Sequence, residues 1–224
     1  MGIGWSNILG VLVTHDHADH IRSVGTIGER CHVPIYATAL VHGGIERNYG
    51  VRHKIKTARR TFQKGVPFQL GEFHINSFGI SHDSTECVGF VIDWRDQRFM
   101  IATDCGQPSD ELEEYLRTAN HIIIEANHDE QLLLNGPYPT YLKQRILSNI
   151  GHQSNITCAE LLERNYHPGM RNIWLCHLSK ENNDPKLAYD TIAEHLREIG
   201  VEPAQDINLV VLDRLTPSVP FELN

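Results

Sequence analysis

Apolar residues along this chain gather into short runs bounded by polar or turn-forming residues, the pattern of strands buried on at least one face. Such runs span Ile8 to Val13, Val33 to Tyr36, Phe73 to Ile80, Val88 to Trp94, Phe99 to Ala102, His121 to Glu125, Ile173 to Cys176 and Ile207 to Leu212. Between many of them the period lengthens to that of a helix. The clearest cases are Asp110 to Arg117, Pro139 to Asn149, Ile156 to Arg164 and Pro185 to Ile199, the last followed by Gly200 as a C-terminal stop. Strands mixed with helices throughout predict a layered α/β protein. With no repeat, low-complexity tract or linker in view, one domain over residues 1–224 is expected.

The ends of these runs carry the unusual residues. "VLVT" leads into His15, "FHINSFGI" into Ser81 and His82, "FMIAT" into Asp104, and "NIWLC" into His177. A polar residue at the point where a buried strand surfaces is held rigidly yet stays open to a ligand, so four such ends predict a shared site. The densest is "THDHADH", which packs His15, His17, Asp19 and His20 together although Asp and His are poor core residues. In an extended chain His15, His17 and Asp19 project to one side, with His20 at the turn into a following helix. That geometry offers two imidazoles to one cation and a carboxylate with an imidazole to a second. Zinc, manganese and iron accept such ligands, and two ions a few ångströms apart clamp a displacement at phosphorus or carbon.

Composition narrows the setting. At 224 residues and 41% hydrophobic the chain has enough apolar material for a sizeable core. The formal charge of −8 excludes a generally basic surface, so a nucleic-acid partner would need a local patch. One candidate is "RNYGVRHKIKTARRTFQK", residues 47–64, which holds Arg52, Lys54, Lys56, Arg59, Arg60 and Lys64 without one acid. It is read as a DNA-backbone contact whose Tyr49 and Phe62 stack on frayed bases, against the alternative of an amphipathic surface helix that binds nothing. Five cysteines without a C-x-x-C pair predict reduced thiols in a cytoplasmic protein. No apolar run approaches membrane-spanning length, so no membrane partner is expected.

The motifs "THDHADH", "SHD" at 81–83, "ATDCG" at 102–106 and "CHLSKENNDP" at 176–185 closely resemble those of the metallo-β-lactamase-fold hydrolases. More narrowly, "EANHD" at 125–129, "GPYPTYLKQRI" at 136–146, "GHQSN" at 151–155 and "HLSKENN" at 177–183 are similar to the YycJ (WalJ) branch, described as double-strand DNA exonucleases. The resemblance implies an αββα four-layer sandwich and two divalent metal ions, zinc or manganese. It implies that His15, His17 and His82 hold the first ion, that Asp19, His20 and His177 hold the second, and that Asp104 bridges them. A hydroxide between the ions would attack phosphorus, since metals lower the pKa of bound water to about 7.

Asp19 and His152 are the candidate catalytic residues, His152 approaching the substrate phosphate or protonating the leaving group. The polar "GHQSN" also admits a plainer role, Ser154 or Asn155 capping the helix that follows. His128 and Asp129 are candidate partners that orient ligand histidines, while Cys105 and the remaining histidines are expected to be structural or solvated. Family members carry strands ahead of the histidine motif, so this chain is expected to be N-terminally incomplete, with a sheet edge exposed. The implied activity is a DNA exonuclease. A lactam, lactone or thioester hydrolase of the same fold is the alternative, and a non-catalytic nucleic-acid-binding or metal-storage protein a third; the basic segment favours the polymer, and the oligomeric state stays open.

Overall fold

Three clusters of buried side chains organise the structure, a computed structural model that describes residues 3–221 and 223. The first half builds a small parallel sheet from β1 (Val11–Leu12), β2 (Ile35–Ala37) and β3 (Arg59–Thr61), in that spatial order. Its connections are α1 (Ala18–Ile21), α2 (Val24–Cys31) and α3 (Ala39–Arg47). Ile21, Val24, Val41 and Ile45 from these helices pack with Val13, just past β1, and Ile35 of β2.

A seven-stranded sheet follows. Its strands are β4 (Phe68–Leu70), β5 (Phe73–Gly79), β6 (Val88–Trp94), β7 (Gln97–Ala102), β8 (His121–Glu125), β9 (Asn172–Cys176) and β10 (Asn208–Val211). They lie side by side in the order β10-β9-β8-β7-β6-β5-β4. From β4 to β7 neighbours are antiparallel; from β7 to β10 they are parallel. The helices of this half are α4 (Asp110–Leu116), α5 (Glu130–Asn135), α6 (Thr140–Ile146), α7 (Asn155–Asn165) and α8 (Pro185–Glu198). Leu112, Leu161, Leu162, Ile192 and Leu196 of α4, α7 and α8 cover Met100, Ile122 and Ile173 of the sheet. Strands buried on both faces explain why "HIIIE" is a continuous apolar run rather than an alternating one.

The third cluster joins the sheets to each other. Phe62 and Tyr36 from the small sheet stack on Phe68 at centroid distances of 5.2 and 5.8 Å, and Phe62 meets Phe90 edge-on at 5.7 Å. Each buried aromatic of this kind contributes about 1.5–3 kcal/mol. The layers therefore run helix, sheet, sheet, helix, which is the expected sandwich. Among the described residues no helix is long and apolar enough to cross a membrane.

Strands and helices differ from expectation mainly in the first half. The run from Ile8 to Val13 yields only the two residues of β1, an edge strand, preceded by a 3₁₀ turn at Trp5–Asn7. The basic segment is neither an amphipathic helix nor wholly a loop; it contains β3, at the other edge of the small sheet. The helix expected over Pro139 to Asn149 stops at Ile146. There the Ile146 carbonyl accepts from His152 N at 3.0 Å and turns the chain back.

Candidate metal centre

β1, β5, β7, β8 and β9 all end at the same edge of the sandwich, and each delivers polar groups there. His15 and His17 follow β1, His82 follows β5, Asp104 follows β7, Glu125 closes β8, and His177 follows β9. Every residue expected to hold a metal converges at this edge. His15, His17 and His82 form one group with ligand atoms within 4.8 Å of one another; Asp19, His20 and His177 form a second. Asp104 lies between them: its Oδ2 is 3.1 Å from His20 Nε2, and its Oδ1 is 3.6 Å from His82 Nε2 and 3.5 Å from His177 Nδ1.

The hydrogen bonds fix which ring nitrogens face inward. His17 Nε2–H donates to the Asp83 carbonyl at 3.1 Å, leaving Nδ1 as a lone pair. His82 Nδ1–H donates to the Gly151 carbonyl at 3.1 Å, leaving Nε2 as a lone pair. These two nitrogens are 3.2 Å apart. Burial pushes the His82 imidazole below its usual pKa and holds His15 down at about 3, which favours the neutral form of both rings. His15 Nε2, fully buried, has no hydrogen-bond partner among the described residues. Two lone pairs in contact and an orphaned third repel one another unless a cation sits among them, and the donor set therefore fits a divalent metal.

One part of the expected geometry is corrected. Asp19 does not alternate with His15 and His17 along an extended strand, because the chain turns into α1 at Ala18 with His17 at the N-cap. Asp19 and His20 are helical, and Asp19 Oδ2 lies 3.7 Å from His20 Nε2 and 3.8 Å from His177 Nε2. The helical turn assigns this carboxylate to the second group, and its side chain is 68% exposed.

Glu125 is the residue that the sequence did not disclose. It is completely buried, and its Oε1 accepts from His177 Nδ1 at 2.7 Å and His152 Nδ1 at 2.9 Å. Its Oε2 accepts from the amides of Cys105 at 2.9 Å and Gln153 at 3.2 Å. Both histidines thereby keep Nδ1 protonated, and His177 Nε2 lies 3.8 Å from Asp19 Oδ2. Burial alone would push His177 down, but Asp19 and Glu125 override it and hold the ring up at about 10. His152 is likewise raised against its burial by Glu125. Burial opposes ionisation of Asp104 too, yet His20, His177 and His15 keep its carboxyl well below the usual range. Asp104 and His177 both hold left-handed backbone, φ 54° and 56°, which few non-glycine residues adopt and which clusters at functional sites.

The signature segments prove to be one hydrogen-bonded support. Asn183 donates to the carbonyls of Ala126 and Asn127 and to Asn155 Oδ1, while Asn127 donates to the His177 carbonyl at 2.8 Å. Ser154 caps α7 as the plainer role requires, its Oγ accepting from Thr157 N at 3.1 Å, and His152 beside it still faces the centre. Asp129 is corrected to a helix cap, accepting from Leu132 N at 2.9 Å, and touches no ligand histidine. His128 is also no partner to a ligand: burial holds it at about 4 and neither ring nitrogen has a protein partner among the described residues. Cys105 is a buried core residue whose thiol pKa burial pushes up. His42, His121, His167 and His195 make structural hydrogen bonds.

The basic segment stands apart from the ligands. Arg52, Lys54, Lys56, Arg59, Arg60 and Lys64 are exposed, but Lys64 pairs with Glu86 at 3.1 Å and Lys54 caps the carbonyls of Glu46 and Asn48. Phe62 is buried between the sheets and unavailable for stacking on bases; Tyr49 is fully exposed.

Residues 4–173 match the β-lactamase superfamily domain. The chain is 35% identical to exodeoxyribonuclease WalJ of Streptococcus pneumoniae over 196 residues, 86% of this chain and 73% of that protein. It is 32% identical to exodeoxyribonuclease YycJ of Bacillus anthracis, over 87% of this chain and 73% of that one. Among solved structures, the metallo-β-lactamase fold protein YhfI of Bacillus subtilis superposes with a TM-score of 0.64 at 18% identity, covering 93% of this chain and 77% of its own.

Proposed function

The chain belongs to the β-lactamase superfamily, in the branch of the WalJ and YycJ exodeoxyribonucleases, and from that premise we propose that it is a metal-dependent phosphodiesterase that degrades DNA from an end. In this reading His15 Nε2, His17 Nδ1 and His82 Nε2 hold one divalent ion, Asp19, His20 and His177 hold the other, and Asp104 spans both. The donor set is nitrogen and oxygen throughout, which suits zinc or manganese. Two such ions, when bound, supply Lewis-acid polarisation of a phosphodiester and a water of lowered pKa. The observation that carries the assignment is Asp104, whose Oδ2 faces His20 of one group and whose Oδ1 lies between His82 of the other group and His177.

The remaining roles fall to side chains. His152, protonated at Nδ1 through Glu125, lines the pocket, and its raised pKa suits a proton donor to the departing oxygen. The exposed Asp19 carboxylate would orient water entering at the mouth. Arg52, Lys54, Lys56, Arg59, Arg60 and Lys64 offer secondary contacts to DNA backbone.

The test is end-labelled single-stranded and duplex DNA with manganese and with zinc, beside Asp104→Ala. The wild-type chain is expected to shorten DNA from one end. The variant should lose bound metal by mass spectrometry and lose degradation by at least about a hundredfold. Hydrolysis of a chromogenic lactam with no attack on DNA would overturn the reading.

A further inference from the structure

A pocket of about 310 Å³ at the centre is lined by His17, Asp19, Asp104, His152 and His177, and by one permanent cation, Arg145. Asp19, Arg145, His152 and His177 also line a second, open groove of about 600 Å³ that leads away from it. Along that groove stand Tyr138, Leu142 and Arg145 on and just before α6, and Leu178, Lys180 and Arg214 on the facing side. Resting on the nuclease reading, we propose that this groove is the track for the single DNA strand being hydrolysed, with Arg145 gripping the phosphate nearest the metals.

Arg145 is built for that place. Its Nε and Nη2 form a fork on Asp83, the Nη2–Oδ1 arm at 2.9 Å, and its Nη1 has no partner among the described residues. Asp83 Oδ1 in turn lies 3.6 Å from His82 Nε2 and 3.8 Å from His17 Nε2. The guanidinium is thus fixed relative to the first histidine group, with one nitrogen left to donate to an anion. A preoriented fork loses less side-chain entropy per hydrogen bond than a free lysine would.

The rest of the groove alternates what a strand alternates. Lys180 and Arg214 supply charge farther out, in a chain whose overall charge is −8. Among the described residues Lys180 is tied only to its exposed neighbour Glu181, a surface pair that costs little to exchange for a phosphate. The two acids of the groove are already engaged: Asp19 faces His177, and Asp213 Oδ1 accepts from the amides of Leu215 and Thr216 at 2.7 and 2.9 Å. Tyr138, Leu142 and Leu178 offer flat and apolar contact to bases or sugars. Such contact is available only where bases are unstacked, hence a single strand rather than a duplex. "GPYPTYLKQRI" supplies Tyr138, Leu142 and Arg145, and none of the seven candidate metal ligands lies in that stretch.

The experiment measures binding of fluorescein-labelled phosphorothioate oligothymidylates, short and longer, to the metal-loaded full chain by anisotropy across a salt series. Lys180→Gln/Arg214→Gln should weaken the longer oligonucleotide about tenfold and the shortest far less. The slope of log affinity against log salt should fall by about 0.7 for each phosphate left without its cation. Arg145→Gln should weaken both lengths, and Arg145→Lys should recover only part, because a lysine cannot reproduce the fork. Metal content of each variant is read in parallel; should Arg145→Gln shed metal, the outer double variant alone decides. If that double variant binds with wild-type affinity and slope while the wild-type chain degrades DNA, the groove is overturned and the nuclease reading survives. If the wild-type chain neither binds nor degrades DNA, both fall.

Discussion

Glu125 commits one oxygen to two histidines and the other to two backbone amides, so its hydrogen-bonding capacity is spent before any ion arrives. Replacing it with Gln keeps the shape but cannot keep the pattern. With the amide oxygen toward the histidines, the NH₂ group meets the Cys105 and Gln153 amides, donor against donor. Reversed, it meets His152 and His177 and favours the wrong tautomer. Glu125→Gln is therefore expected to weaken the second metal by about 10–100-fold, as loss of a ligand's supporting carboxylate commonly does. Competitive titration against a chelator measures it, and unchanged affinity would mean that Glu125 orients neither ring. The strand-end logic that picks out His15, His82, Asp104 and His177 applies equally to Glu125. What the sequence withholds is that a carboxylate ending "HIIIE" is wholly buried. Asp16 is hidden in the same way, since only the fold reveals that it accepts from Thr85, on the loop that carries His82.

At the scale of elements, the seven candidate ligands and six of the seven strands of the large sheet are legible, because strands buried in a sheet read as apolar runs; the short edge strand β4 is not. Helices α2 and α3 of the first half are not legible either, and glycine is the reason. In α2 a Cβ on Gly25 would lie 1.7 Å from the His53 carbonyl, and in α3 one on Gly44 would lie 1.8 Å from Asp16 Oδ2. Close approach demands glycine at both positions, and glycine erases the helical signal. β3 is illegible for a different reason: "RRT" has no apolar residue, and its three side chains are all exposed. That same exposure makes it testable. Arg59→Glu/Arg60→Glu removes two cations from the rim without touching a ligand or the core, so the melting temperature should hold. If β3 contacts duplex backbone, the salt slope of duplex binding should fall by about 0.9 for each phosphate that these arginines neutralise. An unaltered slope in a salt titration would mark β3 as a solvated edge.

Across the whole molecule, the candidate ligands come from both sheets: His15, His17, Asp19 and His20 from the half built on the small one, and His82, Asp104 and His177 from the large one. Metal binding therefore joins the sheets across their shared edge, and it should appear as stability. At about a hundredfold excess over its Kd a single ion contributes about 2.7 kcal/mol. In a chain of this size that corresponds to roughly 5–10 °C in Tm. The increment should depend on pH with a definite sign. Without metal, the His177 pKa is raised from its usual 6.5 to about 10, so its pairing with Asp19 and Glu125 stabilises the fold fully below about 6.5 and is lost as pH rises through about 10. With metal the rings must be neutral, and protons compete with the ion as pH falls. Both effects act in one direction, so the difference in Tm between manganese-supplemented and chelator-treated protein should be larger at about pH 8 than at about pH 6. Differential scanning calorimetry at the two pH values reads it directly. Equal melting temperatures with and without metal at both would mean that the histidine cluster does not couple the sheets through an ion.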